Sequence, residues 1–170
     1  MAGACTLLSQ HPVWARLVPE ARPTGKLSLL NAHTGERLTV AYRDPAGGYD
    51  PEAMQALNWI LRCHYTNQVA TIDPRVIDYL SMVDHRFGGN NEIQVISGFR
   101  SPEYNRLLRE EGRRVARHSL HLQGKAIDFA IPGVELSKVR RAALSLRFGG
   151  VGFYPGRGFV HLDTGSFRRW

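Results

Sequence analysis

Two runs of alternating apolar residues flank His33-Thr34-Gly35. Leu27 and Leu29 lie on one side, and Leu38, Val40 and Tyr42 on the other, so period-two spacing predicts a β-hairpin over 26–42. Residues 1–25 hold three prolines and no such period, and are expected to form an extended arm ahead of one domain over residues 26–170. Beyond the turn cluster Asp44–Gly48 the spacing widens to three and four. Met54, Leu57 and Leu61 mark one amphipathic helix, and Val76, Leu80 and Val83 a second. Each starts at an Asp-Pro pair, Asp50-Pro51 and Asp73-Pro74, with the acid as N-cap and proline in the first turn.

Gly88-Gly89 ends the second helix, and Ile93–Ile96 reads as a short strand. Ser101-Pro102-Glu103 opens a charged third helix reaching about Gly112. A strand at Ala126–Ile131 follows, and then a helix through Leu136, Val139, Ala143 and Leu146 that stops at Gly149-Gly150. Val151–Tyr154 and Phe159–Asp163 form a last pair of strands, joined by Pro155-Gly156-Arg157-Gly158. The pattern predicts a single α+β domain, with a small antiparallel sheet flanked by helices and an N-terminal hairpin.

Composition narrows the classes. At 170 residues, 43% hydrophobic and 22% charged, the chain suits one globular domain and not a disordered or coiled-coil protein. No apolar run approaches the roughly 18 residues of a membrane span. The net charge of +7 favours a polyanionic partner. Nucleic acid is not expected, because the arginine pairs at 113–114, 140–141 and 168–169 are scattered and no nucleic-acid motif accompanies them. Cys5 and Cys63 form neither a disulfide framework nor a zinc cluster, and Cys63, in a helical apolar pattern, reads as core. A monomer is expected.

Of the seven histidines, His33, His64 and His85 sit in turns or near helix ends and His11 in the arm, where structural roles suffice. His121 and His161 have more telling neighbours. On the strand through Asp128, Ile127 and Phe129 face one way, and Ala126, Asp128 and Ala130 the other. Two alanines leave open space before the carboxylate, which suits a metal ligand or catalytic acid, or equally a solvated acid on a polar face. On the last strand Val160 and Leu162 face the core, while Phe159, His161 and Asp163 share the opposite face. One loop histidine with an aspartate and a histidine from strands is a set that catalytic zinc takes while keeping a fourth position for water.

The run Ser119-x-His121-x-x-Gly124-x-Ala126-x-Asp128 resembles the signature of the zinc peptidases that include D-Ala-D-Ala carboxypeptidases, lysostaphin-like enzymes and hedgehog domains. Ser97-Gly98-Phe99-Arg100 upstream is similar to a second motif of that group. Gly149-Gly150-Val151-Gly152-Phe153-Tyr154-Pro155 and Gly158-Phe159-Val160-His161-Leu162-Asp163-Thr164-Gly165 resemble closing motifs of the murein endopeptidase K branch of the M15 peptidases. The likeness extends to Leu29-x-Asn31-x-His33-Thr34-Gly35-Glu36 and to Trp170, and so runs from about Lys26 onward.

The resemblance implies a zinc peptidase that hydrolyses an amide in peptidoglycan stems or cross-bridges. His121, Asp128 and His161 would bind Zn²⁺, Arg100 would stabilise the oxyanion, and Ser119 would support a ligand. Where relatives carry a glutamate or histidine base just before the last histidine, this chain has Gly158 and Phe159. Asp163 is then the candidate base or the group that orients a ligand histidine, with His118 as the second candidate base. The competing reading is a zinc-retaining module that binds wall peptide without cleaving it. A periplasmic or wall-facing location is expected. Ala2-Gly3-Ala4 resembles a signal-peptidase site, which implies a longer precursor with an upstream export signal. Cys5 follows that site, but Ala2 in place of the usual leucine argues against lipid attachment.

Overall fold

A computed structural model describes residues 25–113 and 115–170; the expected arm, the cleavage-like Ala2-Gly3-Ala4, Cys5 and His11 lie outside the described residues. The domain is α+β, as expected, with four helices and one open seven-stranded sheet. The strands are β1 (Lys26–Asn31), β2 (Arg37–Ala41), β3 (Glu92–Ser97), β4 (Ala126–Ala130), β5 (Gly150–Tyr154), β6 (Phe159–Asp163) and β7 (Arg168–Arg169). Their spatial order is β2-β1-β3-β4-β6-β5-β7. The helices are α1 (Pro51–Ile60), α2 (Pro74–His85), α3 (Pro102–Glu110) and α4 (Leu136–Leu146).

The hairpin forms as the alternation predicts, with Leu29 opposite Leu38 and Leu27 opposite Val40. The sheet is larger than expected and mixed: β1 runs parallel to β3, and β7 parallel to β5. The chain between β1 and β3 carries β2 and two helices, and a connection of that length permits a parallel return. Asn31 secures the hairpin turn. Its side-chain Oδ1 accepts the backbone N–H of His33 (3.0 Å) and Thr34 (3.2 Å), and its Nδ2 donates to the Ile60 carbonyl (2.9 Å). Glu36 then reaches Arg62 beyond α1 at 2.8 Å.

Both expected caps, Asp50 and Asp73, are present, and Ser101 caps the third helix. Asp50 accepts from Ala53 N (2.8 Å), Asp73 from Arg75 N (2.9 Å) and Ser101 from Tyr104 N (3.1 Å). Each satisfies a backbone donor that the first helical turn leaves open. The core joins α1, α2 and α4 to one sheet face through Leu57, Val76, Leu80, Val83, Val139 and Ala143 against Ile127, Phe129, Val151, Val160 and Leu162. Tyr79 on α2 donates to the Ala143 carbonyl on α4 at 3.0 Å. Val160 and Leu162 thus face the core, which turns His161 to the other face. Cys63 is buried, its thiol 3.5 Å from Ser101 Oγ. His33 and His64 stack at 3.7 Å between ring centroids, and His33 Nε2 meets the Ile96 carbonyl at 3.1 Å, so both do structural work. Among the described residues no helix is long and apolar enough to cross a membrane.

Candidate metal centre

Sheet register brings two of the three expected ligands together: Asp128 on β4 lies directly opposite His161 on β6. The third arrives from the 3-10 turn Leu120–Gln123 just before β4. Ser119 caps that turn through His121 N at 3.4 Å and does not touch the imidazole. Gly124 ends it with φ +65°, where a Cβ would lie 2.3 Å from the Thr71 carbonyl oxygen. Only glycine suits both that left-handed backbone and that close approach. Asp73 ties the turn down, donating its N–H to the Gly124 carbonyl (2.9 Å) while its carboxylate accepts from Thr164 Oγ1 (2.9 Å).

The three side chains are buried, and their ligand atoms converge. His121 Nε2 lies 3.2 Å from His161 Nδ1 and 3.3 Å from Asp128 Oδ1, and His161 Nδ1 lies 2.7 Å from the same oxygen. A tetrahedral ion with bonds of about 2.0–2.1 Å holds neighbouring ligand atoms roughly 3.3 Å apart, so the cluster is near the required size.

The outer ring nitrogens explain the orientation. His121 Nδ1 lies 2.7 Å from the Gly98 carbonyl, which only accepts, so Nδ1 carries the proton and the Nε2 lone pair faces the cluster. His161 Nε2 lies 3.0 Å from Asp163 Oδ2, which turns the Nδ1 edge of the ring inward. With the inner nitrogens unprotonated, two imine nitrogens and a carboxylate oxygen point at one another and a cation satisfies them together; with no cation there, a proton on His161 Nδ1 bridges to Asp128 Oδ1 at 2.7 Å. The mixed nitrogen and oxygen set suits a divalent transition ion such as zinc.

The Gly98 carbonyl was not among the expected partners, although Ser97-Gly98-Phe99-Arg100 was singled out. The signal was the glycine. A Cβ there would stand 2.5 Å from the Leu61 carbonyl oxygen, which also accepts from Phe99 N at 2.8 Å. Close approach to the end of α1 demands glycine and sets its carbonyl over His121.

Burial is the largest influence on both histidines and disfavours their charge. It prevails at His121, whose pKa lies below the ordinary value. At His161 the bonds to Asp128 and Asp163 outweigh it, and the pKa is raised. Burial also pushes Asp128 up, yet His121 and His161 hold it below the usual carboxylate range. At Asp163 burial is overcome by hydrogen bonds from His161 and Arg168, which bring the pKa to about 2.

The cluster opens onto a cleft of roughly 410 Å³ lined by Arg100, His118, Tyr154, Arg157, Phe159 and Trp170, among others. Arg100 is buried, and its charge is disfavoured first by burial and supported by Asp128. Its backbone N–H donates to the His121 carbonyl (3.1 Å), fixing it beside the turn. Its guanidinium is sparsely engaged: Nη1 donates to Asn105 Oδ1 at 3.3 Å, Nη2 stands 3.9 Å from Asp128, and buried Nε has no partner. His118 is exposed on the cleft wall. Asp163 meets the His161 ring nitrogen that faces away from the cluster, is fully buried and also borders the cleft.

A family model described as peptidoglycan L,D-endopeptidase MepK matches residues 19–170. Peptidoglycan L,D-endopeptidase MepK of Escherichia coli (strain K12) is 44% identical over 144 residues, 85% of this chain and 79% of that protein. The Shigella flexneri protein of the same name matches to the same extent, 44% over 144 residues with 85% and 79% covered. A probable peptidoglycan L,D-endopeptidase MepK of Haemophilus influenzae is 43% identical over 145 residues, 85% of this chain and 77% of that protein.

Proposed function

The chain belongs to the M15-type peptidase family described as peptidoglycan L,D-endopeptidase MepK, and on that premise we propose that it is a zinc-dependent peptidase cutting an amide bond in peptidoglycan peptide stems or cross-bridges. The observation that carries the zinc reading is the convergence of His121 Nε2, His161 Nδ1 and Asp128 Oδ1, three buried ligand atoms all within 4.8 Å of one another. The relatives' names support an endopeptidase acting on an L,D bond. The enzyme works as a monomer in the periplasm or facing the wall, where the net charge of +7 suits an anionic polymer.

Zinc held by the three ligands supplies Lewis acidity, acidifying water and polarising the scissile carbonyl. The chain's own groups do the rest. Arg100 presents guanidinium N–H groups to the oxygen that gains charge, and Asn105 holds the guanidinium in place. Asp163 acts as a positioning residue in this reading: its Oδ2 meets His161 Nε2 on the side of the ring away from the cluster, although it also borders the cleft. With Asp128 read as a ligand and Asp163 engaged by His161 and Arg168, the exposed imidazole of His118 on the cleft wall is the group assigned to proton transfer.

Two variants separate these roles. Asp163→Asn is expected to bind zinc roughly 10–100-fold more weakly, with the rate recovering in excess zinc. A loss of about two or more orders of magnitude in kcat at saturating zinc would instead make Asp163 the base. His118→Ala is expected to keep its zinc, measured by elemental analysis, and to lose about a hundredfold or more in kcat.

Gly158 and Phe159, where relatives carry a glutamate or histidine base, favour one rival, a zinc-retaining module that binds wall peptide. Arg100 with free donors argues for catalysis, since binding alone does not need an oxyanion group. Zymography on purified cell wall decides: clearing that a chelator abolishes and zinc restores supports the enzyme, and zinc-loaded protein that binds wall without clearing it supports the module.

A further inference from the structure

We propose that Arg168 is a positioning residue of the metal centre, holding Asp163 so that its Oδ2 is aimed at His161; this rests on the metal reading above. The Asp163 carboxylate makes four short polar contacts. Oδ1 accepts from Gly165 N (2.8 Å) and Arg168 Nη1 (2.9 Å), and Oδ2 accepts from Arg168 Nη2 (2.7 Å) and meets His161 Nε2 at 3.0 Å. The two arginine bonds form a parallel fork, which fixes the plane of a carboxylate as well as its place. A carboxylate held by Gly165 alone could rotate about its Cβ–Cγ bond and lose its aim at the imidazole. The chain of contacts therefore runs Arg168 to Asp163 to His161, and ends at a nitrogen of the cluster.

The surrounding sequence is shaped around this fork. A Cβ on Gly150 would lie 2.4 Å from Asp163 Oδ2 and 2.7 Å from Arg168 Nη1. One on Gly165 would lie 2.9 Å from both Arg168 Nη1 and Asp163 Oδ1. Both glycines flank the ion pair because no side chain fits there. Pairing of β7 with β5 sets Arg168 opposite Gly150 and delivers the guanidinium to this gap. Trp170 closes the far side. Its ring lies 4.9 Å from the Arg168 guanidinium and 5.3 Å from the His161 ring, and its indole N–H donates to Tyr154 Oη at 2.6 Å. A two-residue edge strand thus carries a part of the metal centre that none of the ligand motifs contains.

The test measures metal binding on the full chain. Zinc dissociation constants come from competition with a chelating dye, and visible absorption of the cobalt-loaded protein reports ligand geometry. Arg168→Met is expected to weaken zinc roughly 10–100-fold, the usual cost of losing a group that orients a ligand, and to alter the cobalt spectrum. Arg168→Lys, which keeps the charge but not the fork, recovers the affinity only in part. Gly165→Ala, which changes no charge, is expected to weaken zinc by forcing the fork apart; it keeps the question open to test if Arg168→Met does not fold. Folded variants with wild-type zinc affinity and an unchanged cobalt spectrum would overturn the proposal and leave the metal reading intact, even if their melting temperatures fell. A wild-type chain that binds no zinc would overturn both.

Discussion

His121→Ala is expected to lose its zinc and its peptidase activity together. The substitution removes one of three buried ligand atoms, and those that remain, Asp128 and His161, lie on adjacent strands 2.7 Å apart at their nearest atoms. Two ligands leave two or more coordination positions to water, and affinity falls accordingly. Loss of Lewis-acid catalysis worth several kcal/mol corresponds to about a thousandfold or more in kcat/KM. The fold should survive, because His121 sits on a 3-10 turn outside the hydrophobic core, and the turn is held by Ser119, Gly124 and Asp73. Elemental analysis and circular dichroism on the same preparation check both halves. Full zinc occupancy in the folded variant would remove His121 from the ligand set.

Arg100→Met is expected to keep zinc and lose about 10²–10³-fold in kcat, the scale of deleting one oxyanion donor. Arg100 is buried beside the cluster with donors to spare, which is how a group awaiting charge is arranged. Its interaction with Asp128 is long, at 3.9 Å, so the substitution leaves no tightly paired charge behind. Arg100→Lys should recover only part of the rate, because an ammonium cannot reproduce the planar fork. The signature sought is a fall in kcat with KM nearly unchanged, since an interaction made only in the transition state appears in kcat. A rise in KM alone would make Arg100 a substrate-binding group.

Much of the frame was legible in the residues. Asp50-Pro51, Asp73-Pro74 and Ser101-Pro102 announced three helix starts, because a cap is a local event. Val160 and Leu162 announced which way His161 faces, because side chains alternate along a strand. The parallel pairing of β1 with β3 was not legible, since it joins segments about sixty residues apart and no local pattern encodes it. Strand period also stops short of chemistry. It put His161 and Asp163 on one face, but χ angles decide which imidazole nitrogen the carboxylate meets. Arg168 and Arg169 form too short a strand for any alternation to show. Read as one of several scattered arginine pairs, they gave no hint of the contact with Asp163.

The central claim is that the His121, Asp128 and His161 cluster serves metal-dependent hydrolysis of a peptidoglycan amide. Digestion of purified muropeptides by the protein, stripped with a chelator and then reloaded with zinc, tests it most directly, with products read by mass spectrometry. The expected result is paired fragments whose masses sum to the parent plus one water, formed by the zinc-loaded protein and not by the stripped one. Intact muropeptides after incubation with fully zinc-loaded, folded protein would contradict it.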